Sequence, residues 1–168
     1  MKTTATLVIA LVCTSLAHAG PGEKTRTVAS QPSWILATPQ VEVALTQLGG
    51  HMAPVTFFRD SARPVQPYHI SPWQGEKHAY PVPVLVPLRG DFFCLPFGGG
   101  KHIKDVHGET ANDAWTVLGS ASDELMLEMK VKNPRCRVRK TLSLREGHRA
   151  LYQEHLIRSE EHTSELQS

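Results

Sequence analysis

The sequence predicts an all-β fold built from antiparallel sheets, and three observations carry that prediction. The first is alternation of apolar and polar residues. Val41, Val43 and Leu45 alternate with Glu42, Ala44 and Thr46; Leu125, Leu127, Met129 and Val131 alternate with Met126, Glu128, Lys130 and Lys132. Val138, Leu142 and Leu144 alternate in the same way with Arg137, Arg139, Thr141 and Ser143. A period of two turns one face toward a core and the other toward water, which marks a half-buried strand. The second is turn chemistry between these stretches, at Gly49-Gly50, Asn133-Pro134 and Glu146-Gly147. The third is succession: three strands joined by short turns between Leu125 and Ile157 make an antiparallel meander with one polar face.

Taken in order, Met1 to Ala19 stands outside the fold. Lys2 gives a positive start, Ala5 to Leu16 is apolar or small, and Ala17-His18-Ala19 forms a cleavage site before Gly20. These are the parts of a secretory signal peptide, too short for a membrane span, so the expected location is secreted or periplasmic. Residues 20–40 begin polar and rich in Pro and Gly and are expected to be a leader. Val41 to Phe58 reads as a hairpin turning at Gly49-Gly50, and Arg59 to Pro67 as loop. Pro81, Pro83 and Pro87 exclude a central strand between Tyr80 and Leu88, because proline lacks the ladder donor. Residues 41–157 form the expected domain, which is shorter than the roughly 200–250 residues all-β domains of this kind often use.

The end of the chain, Arg158 to Ser168, reads RSEEHTSELQS and has no strand or helix periodicity. It is, residue for residue, a translation of common sequencing-adapter DNA. Residues 158–168 are therefore expected to be an artefactual tail outside the domain.

A formal net charge of +2 over 168 residues is too mild and dispersed for a nucleic-acid partner. The one basic concentration, Arg135 to Lys140, reads as the solvated face of a strand. After signal cleavage no membrane association is expected. In the mature part only Cys94 and Cys136 remain, and they could pair or stay as separate thiols.

The chemistry concentrates between Leu88 and Trp115, LRGDFFCLPFGGGKHIKDVHGETANDAW. Arg89 lies in an apolar frame, Phe92, Phe93 and Phe97 alternate with polar groups, and Gly98 to Gly100 let the backbone fold back. Apolar surface with a few placed polar groups suits a ligand pocket, in which the three phenylalanines would be buried. His102, Asp105 and His107 share a short segment, but a metal needs three or four converging ligands, so no metal is expected. Glu109 and Asp113 have no fixed separation and read as a solvated loop rather than a hydrolytic pair. His69 and His78 read as solvated loop residues.

This frame resembles the aldose 1-epimerase (galactose mutarotase-like) superfamily, nearest its hexose-6-phosphate epimerase-like branch. There an Arg-Gly-Gly and a Pro-x-Phe-Gly run precede His-Gly-x-x-Arg-Asn and a Trp. RKTLSLREGHRALYQEHLI is similar to a later Arg-rich strand, Leu-Arg-x-Gly turn and Tyr-bearing strand of the same superfamily. The resemblance covers roughly Val41 to Ile157 and implies the N-terminal part of a β-supersandwich. It implies that Arg89 and His107 line a sugar pocket, with Asn112 and Trp115 on matching positions. Trp73, in YHISPWQ, is either a stacking platform for a sugar ring or plain core. Where the sugar-phosphate branch carries an Arg, this chain has Ala111, which implies a preference for unphosphorylated sugars.

Interconverting anomers requires a base at the anomeric hydroxyl and an acid at the ring oxygen, with no cofactor. The resemblance places that acid His and base Glu beyond Ile157. The expectation is a fragment, itself inactive, of an exported aldose 1-epimerase-like protein, with a monosaccharide or sugar-containing ligand as partner. The alternative is a secreted carbohydrate-binding module of the same fold without turnover.

Overall fold

The computed structural model describes residues 24–77, 79–100 and 105–160. The signal segment, His78, His102 and most of the terminal tail lie outside these residues. Eight strands form two antiparallel four-stranded sheets packed as a sandwich. The first sheet contains β1 (Thr25–Val28), β2 (Gln31–Ala37), β3 (Glu42–Thr46) and β4 (Met52–Thr56) in sequence order. The second contains β5 (Thr116–Ser120), β6 (Glu124–Val131), β7 (Cys136–Leu144) and β8 (Leu151–Ser159), again in sequence order. No helix among the described residues is long and apolar enough to cross a membrane.

The alternating residues account for both faces. Leu125, Leu127, Met129 and Val131 of β6 pack with Val138, Leu142 and Leu144 of β7 against Trp34, Leu36, Val43 and Leu45 of the first sheet, in one core cluster. Each such side chain contributes about 1.5–3 kcal/mol by leaving water, which is what holds two otherwise independent sheets together. The hairpin at Gly49-Gly50 and the meander from β6 to β8 follow the expected pattern.

Three expectations are corrected. The segment expected as a leader supplies β1 and all of β2, paired from Thr25↔Trp34 to Val28↔Gln31. Its polar residues suit an edge strand, and the Trp34 and Leu36 side chains belong to the core. The boundary expected at Arg158 falls inside β8, where Arg158 pairs with Arg137 and Ser159 with Cys136. Residues this polar continue a strand when the ladder of β7 is there to accept them. Finally, the run from Arg135 to Lys140 is not all on a solvated face. Arg135 and Arg137 are exposed, but Lys140 is buried. It shares strand parity with Val138 and Leu142, so the pleat carries it inward.

Residues 57–115 connect the sheets and include a 3₁₀ turn at Pro83–Leu85 and one helical turn, α1 (Glu109–Asn112). This connector is stitched onto the first sheet by bridges Met52↔Asp91 and Leu48↔Ala114. Those stitches place the Arg89 and His107 segments beside the Gly49-Gly50 turn.

Candidate functional site

The site is built outward from His51, the residue after the Gly49-Gly50 turn. Its side chain is fully buried. Nε2 lies 2.9 Å from the Ala111 carbonyl, and the Arg89 backbone N–H donates to Nδ1 at 3.4 Å. These partners assign the proton to Nε2. Burial lowers its pKa to about 4, so the ring is neutral in ordinary conditions. Its face stacks on Phe92, with centroids 4.2 Å apart.

Arg89 is 1% exposed, and its guanidinium is taken up by the protein itself. Nε donates to Pro87 O at 3.1 Å, Nη1 to Val28 O at 2.8 Å, and Nη2 to Ala29 O at 2.8 Å and Gln74 Oε1 at 2.6 Å. The planar fork thus ties the connector to the turn between β1 and β2. Gly90 follows because nothing else fits: its φ is +48°, and an added Cβ would stand 1.9 Å from Met52 O. A cleft of about 270 Å³ lined by Tyr68, His69 and Ser71 opens beside Arg89.

His107 occupies a left-handed backbone conformation, φ +71°, which is strained for a residue with a Cβ. Two neighbours hold it there. Its N–H donates to Gly98 O at 2.6 Å, so the chain does fold back at the glycine run. The Asn112 amide donates to Val106 O at 2.8 Å and Gly108 O at 2.7 Å, closing the loop around His107 from both sides. Phe92 meets the imidazole edge-on at 5.7 Å, and Phe97 lies 5.9 Å away. Phe97 corrects the expectation of three buried phenylalanines: it is 82% exposed. His107 Nδ1 and Asn112 Oδ1 are buried and have no hydrogen-bond partner among the described residues.

His51 joins the two predicted pocket residues, since it bonds to the Arg89 backbone and shares the Phe92 ring with His107. Trp73 stands apart from that row. It is half-buried, donates from Nε1 to Leu85 O at 2.9 Å and lies 6.4 Å from the Tyr80 ring. Glu109 accepts from the Lys132 backbone N–H, tying α1 to the end of β6, while Asp113 is exposed. No disulfide joins Cys94 to Cys136. Among the described residues no three His, Cys, Asp or Glu side chains gather as a metal would require.

A second polar group adjoins this one on the inner face of the second sheet. Lys140 is 1% exposed and donates from Nζ to Gly50 O at 3.0 Å. Its pKa is lowered to about 8 by burial, with the nearby Asp91 carboxylate pulling the other way. His155 is its register partner on β8 and stacks on Phe93 at 4.2 Å. Burial lowers the His155 pKa to about 4, and its buried Nε2 has no partner among the described residues. Asp91 accepts from Gln153 Nε2 at 3.0 Å. The sequence held the signal for this group in strand parity: Lys140 follows Val138 and precedes Leu142, and His155 precedes Ile157.

The chain matches no family model, no curated protein and no solved structure.

Proposed function

We propose that this chain is the sugar-binding portion of an exported aldose 1-epimerase-like protein that interconverts sugar anomers. The observation that carries the reading is the His107 turn. An imidazole with an unpartnered nitrogen is held in a strained backbone between one half-buried and one exposed phenylalanine. Sugars offer an apolar ring face rimmed by hydroxyls, and aromatic surface beside a half-buried imidazole answers both. The motif resemblance at Arg89, His107 and Asn112 supports the same reading. Arg89 and Asn112 serve it by holding the loop, since four Arg89 N–H donors and the Asn112 amide already have protein acceptors. Export rests on the signal features of Met1 to Ala19.

Titration with glucose, galactose and glucose 6-phosphate, followed by NMR, tests the proposal. Saturable hexose binding that weakens about tenfold or more in His107→Ala and Phe97→Ala is expected, from loss of one hydrogen-bonding group or one stacking ring. The 6-phosphate should bind no more tightly than the free sugar, because Ala111 offers it no charge. Absence of saturable binding by either free hexose, or binding untouched in His107→Ala, would overturn the assignment.

A further inference from the structure

We propose that Lys140 is a nucleophilic lysine whose amine condenses with the free aldehyde of an open-chain aldose. The inference rests on the carbohydrate reading above and adds a covalent step on the adjoining inner face.

The stability of the sheet does not explain a lysine here. Lys140 sits in an apolar row, with Val138 and Leu142 two residues away on its own strand and Leu127 opposite on β6. Gly50 O is its one hydrogen-bond acceptor among the described residues, although an ammonium has three protons to place. A methionine would fill the same space with no charge to desolvate. What surrounds the amine is instead suited to proton transfer. His155 lies directly across the ladder with an unpartnered Nε2, and Asp91, anchored by Gln153, completes the group.

Access comes from the side of β8. That strand is the edge of its sheet; His155 is half-buried and Gln153 exposed. The amine therefore lies one strand in from an open edge, covered by the His155 ring and its Phe93 neighbour. Desolvation favours the neutral amine, which is the nucleophilic form, consistent with the lowered pKa of about 8.

The chemistry balances without an oxidant or reductant. The Nζ lone pair forms a C–N bond to the carbonyl carbon, and the carbonyl oxygen takes a proton to give a carbinolamine. The second amine proton then passes through the neighbouring His155 to the hydroxyl, the C–O bond breaks, and water leaves to give the imine. Hydrolysis by the reverse steps returns the open-chain sugar.

Reductive trapping tests this on the full chain. Glyceraldehyde and sodium cyanoborohydride at neutral pH convert an imine into a stable secondary amine, which peptide mass spectrometry assigns to a residue. The exposed Lys130 and Lys132 serve as internal references. Neither belongs to the buried group around His155 and Asp91, so adduct occupancy at Lys140 should exceed theirs by about tenfold or more. In a folded Lys140→Met variant, labelling of Lys130 and Lys132 should be unchanged. Labelling at Lys140 no greater than at those two residues would overturn the proposal. If hexose still binds in the NMR titration, the failure belongs to the lysine alone and the sugar reading stands.

Discussion

Two buried cations, one on each side of the Gly49-Gly50 turn, are treated in opposite ways. Arg89 and Lys140 are each 1% exposed. Arg89 places four hydrogen bonds on the connector, the β1–β2 turn and Gln74. Among the described residues Lys140 places one, on Gly50 O, beside a histidine nitrogen with none. A buried charge with four of its five N–H donors matched joins pieces of a structure, whereas one left under-matched lowers stability, which is why a chemical role is proposed for Lys140. The same contrast separates Asn112, whose amide holds a loop, from His107, whose Nδ1 is left open.

The strongest way to break the comparison is at Arg89. Arg89→Ala should lose about 3 kcal/mol, because four acceptors lose a charged donor together. Urea denaturation would show the midpoint fall, and Arg89→Lys should recover little of it, since one ammonium cannot reproduce the fork. Lys140→Met should move the other way and stabilise the protein by about 1–2 kcal/mol at neutral pH. A thermal melt showing destabilisation by Lys140→Met would put both cations in the same class. His107→Gly sharpens the contrast at a smaller scale. Relief of the positive φ should add about 1 kcal/mol of stability while hexose binding is lost.

The smallest effect is in the pH dependence. His51 and His155 have pKa values lowered from 6.5 to about 4 in the folded protein, and Lys140 is lowered from 10.5 to about 8. In each window the unfolded chain binds more protons than the folded one, so stability rises with pH from about 4 to 6.5 and again from about 8 to 10.5. Melting temperatures across both windows would check this. Lys140→Met should flatten the upper rise and leave the lower one in place.

Much of the second sheet was legible because β6 and β7 alternate cleanly and burial follows parity along both. The first sheet was only half legible. Thr25 to Val28 forms a strand through pairing with β2; its β-branched residues suit one, but four residues behind a Pro- and Gly-rich stretch are too short to announce it. Within the site, the motif residues were legible but the use of their atoms was not. Arg89 reads as a ligand-facing cation until the carbonyls of Val28 and Ala29, some sixty residues away, appear beside it. Lys140 was hidden by its neighbours, since Arg137 and Arg139 made the whole run look solvated. Parity with Val138 and Leu142 was the better guide. His51 and Asp91 carried no local signal, because their positions depend on the bridge between Met52 and Asp91.

The edge position of β8 has a kinetic consequence. Its outer side has no strand partner among the described residues, and Leu156 and Ile157 remain partly exposed on its two faces. Such a strand opens by local fraying at a small fraction of the global unfolding free energy. Amide hydrogens of β8 should therefore exchange well ahead of those of β6 and the β6-paired side of β7. Because His155 travels with the strand, each opening would also uncover the Lys140 amine. How often the lysine meets an aldehyde would then be set by how often one edge strand lets go.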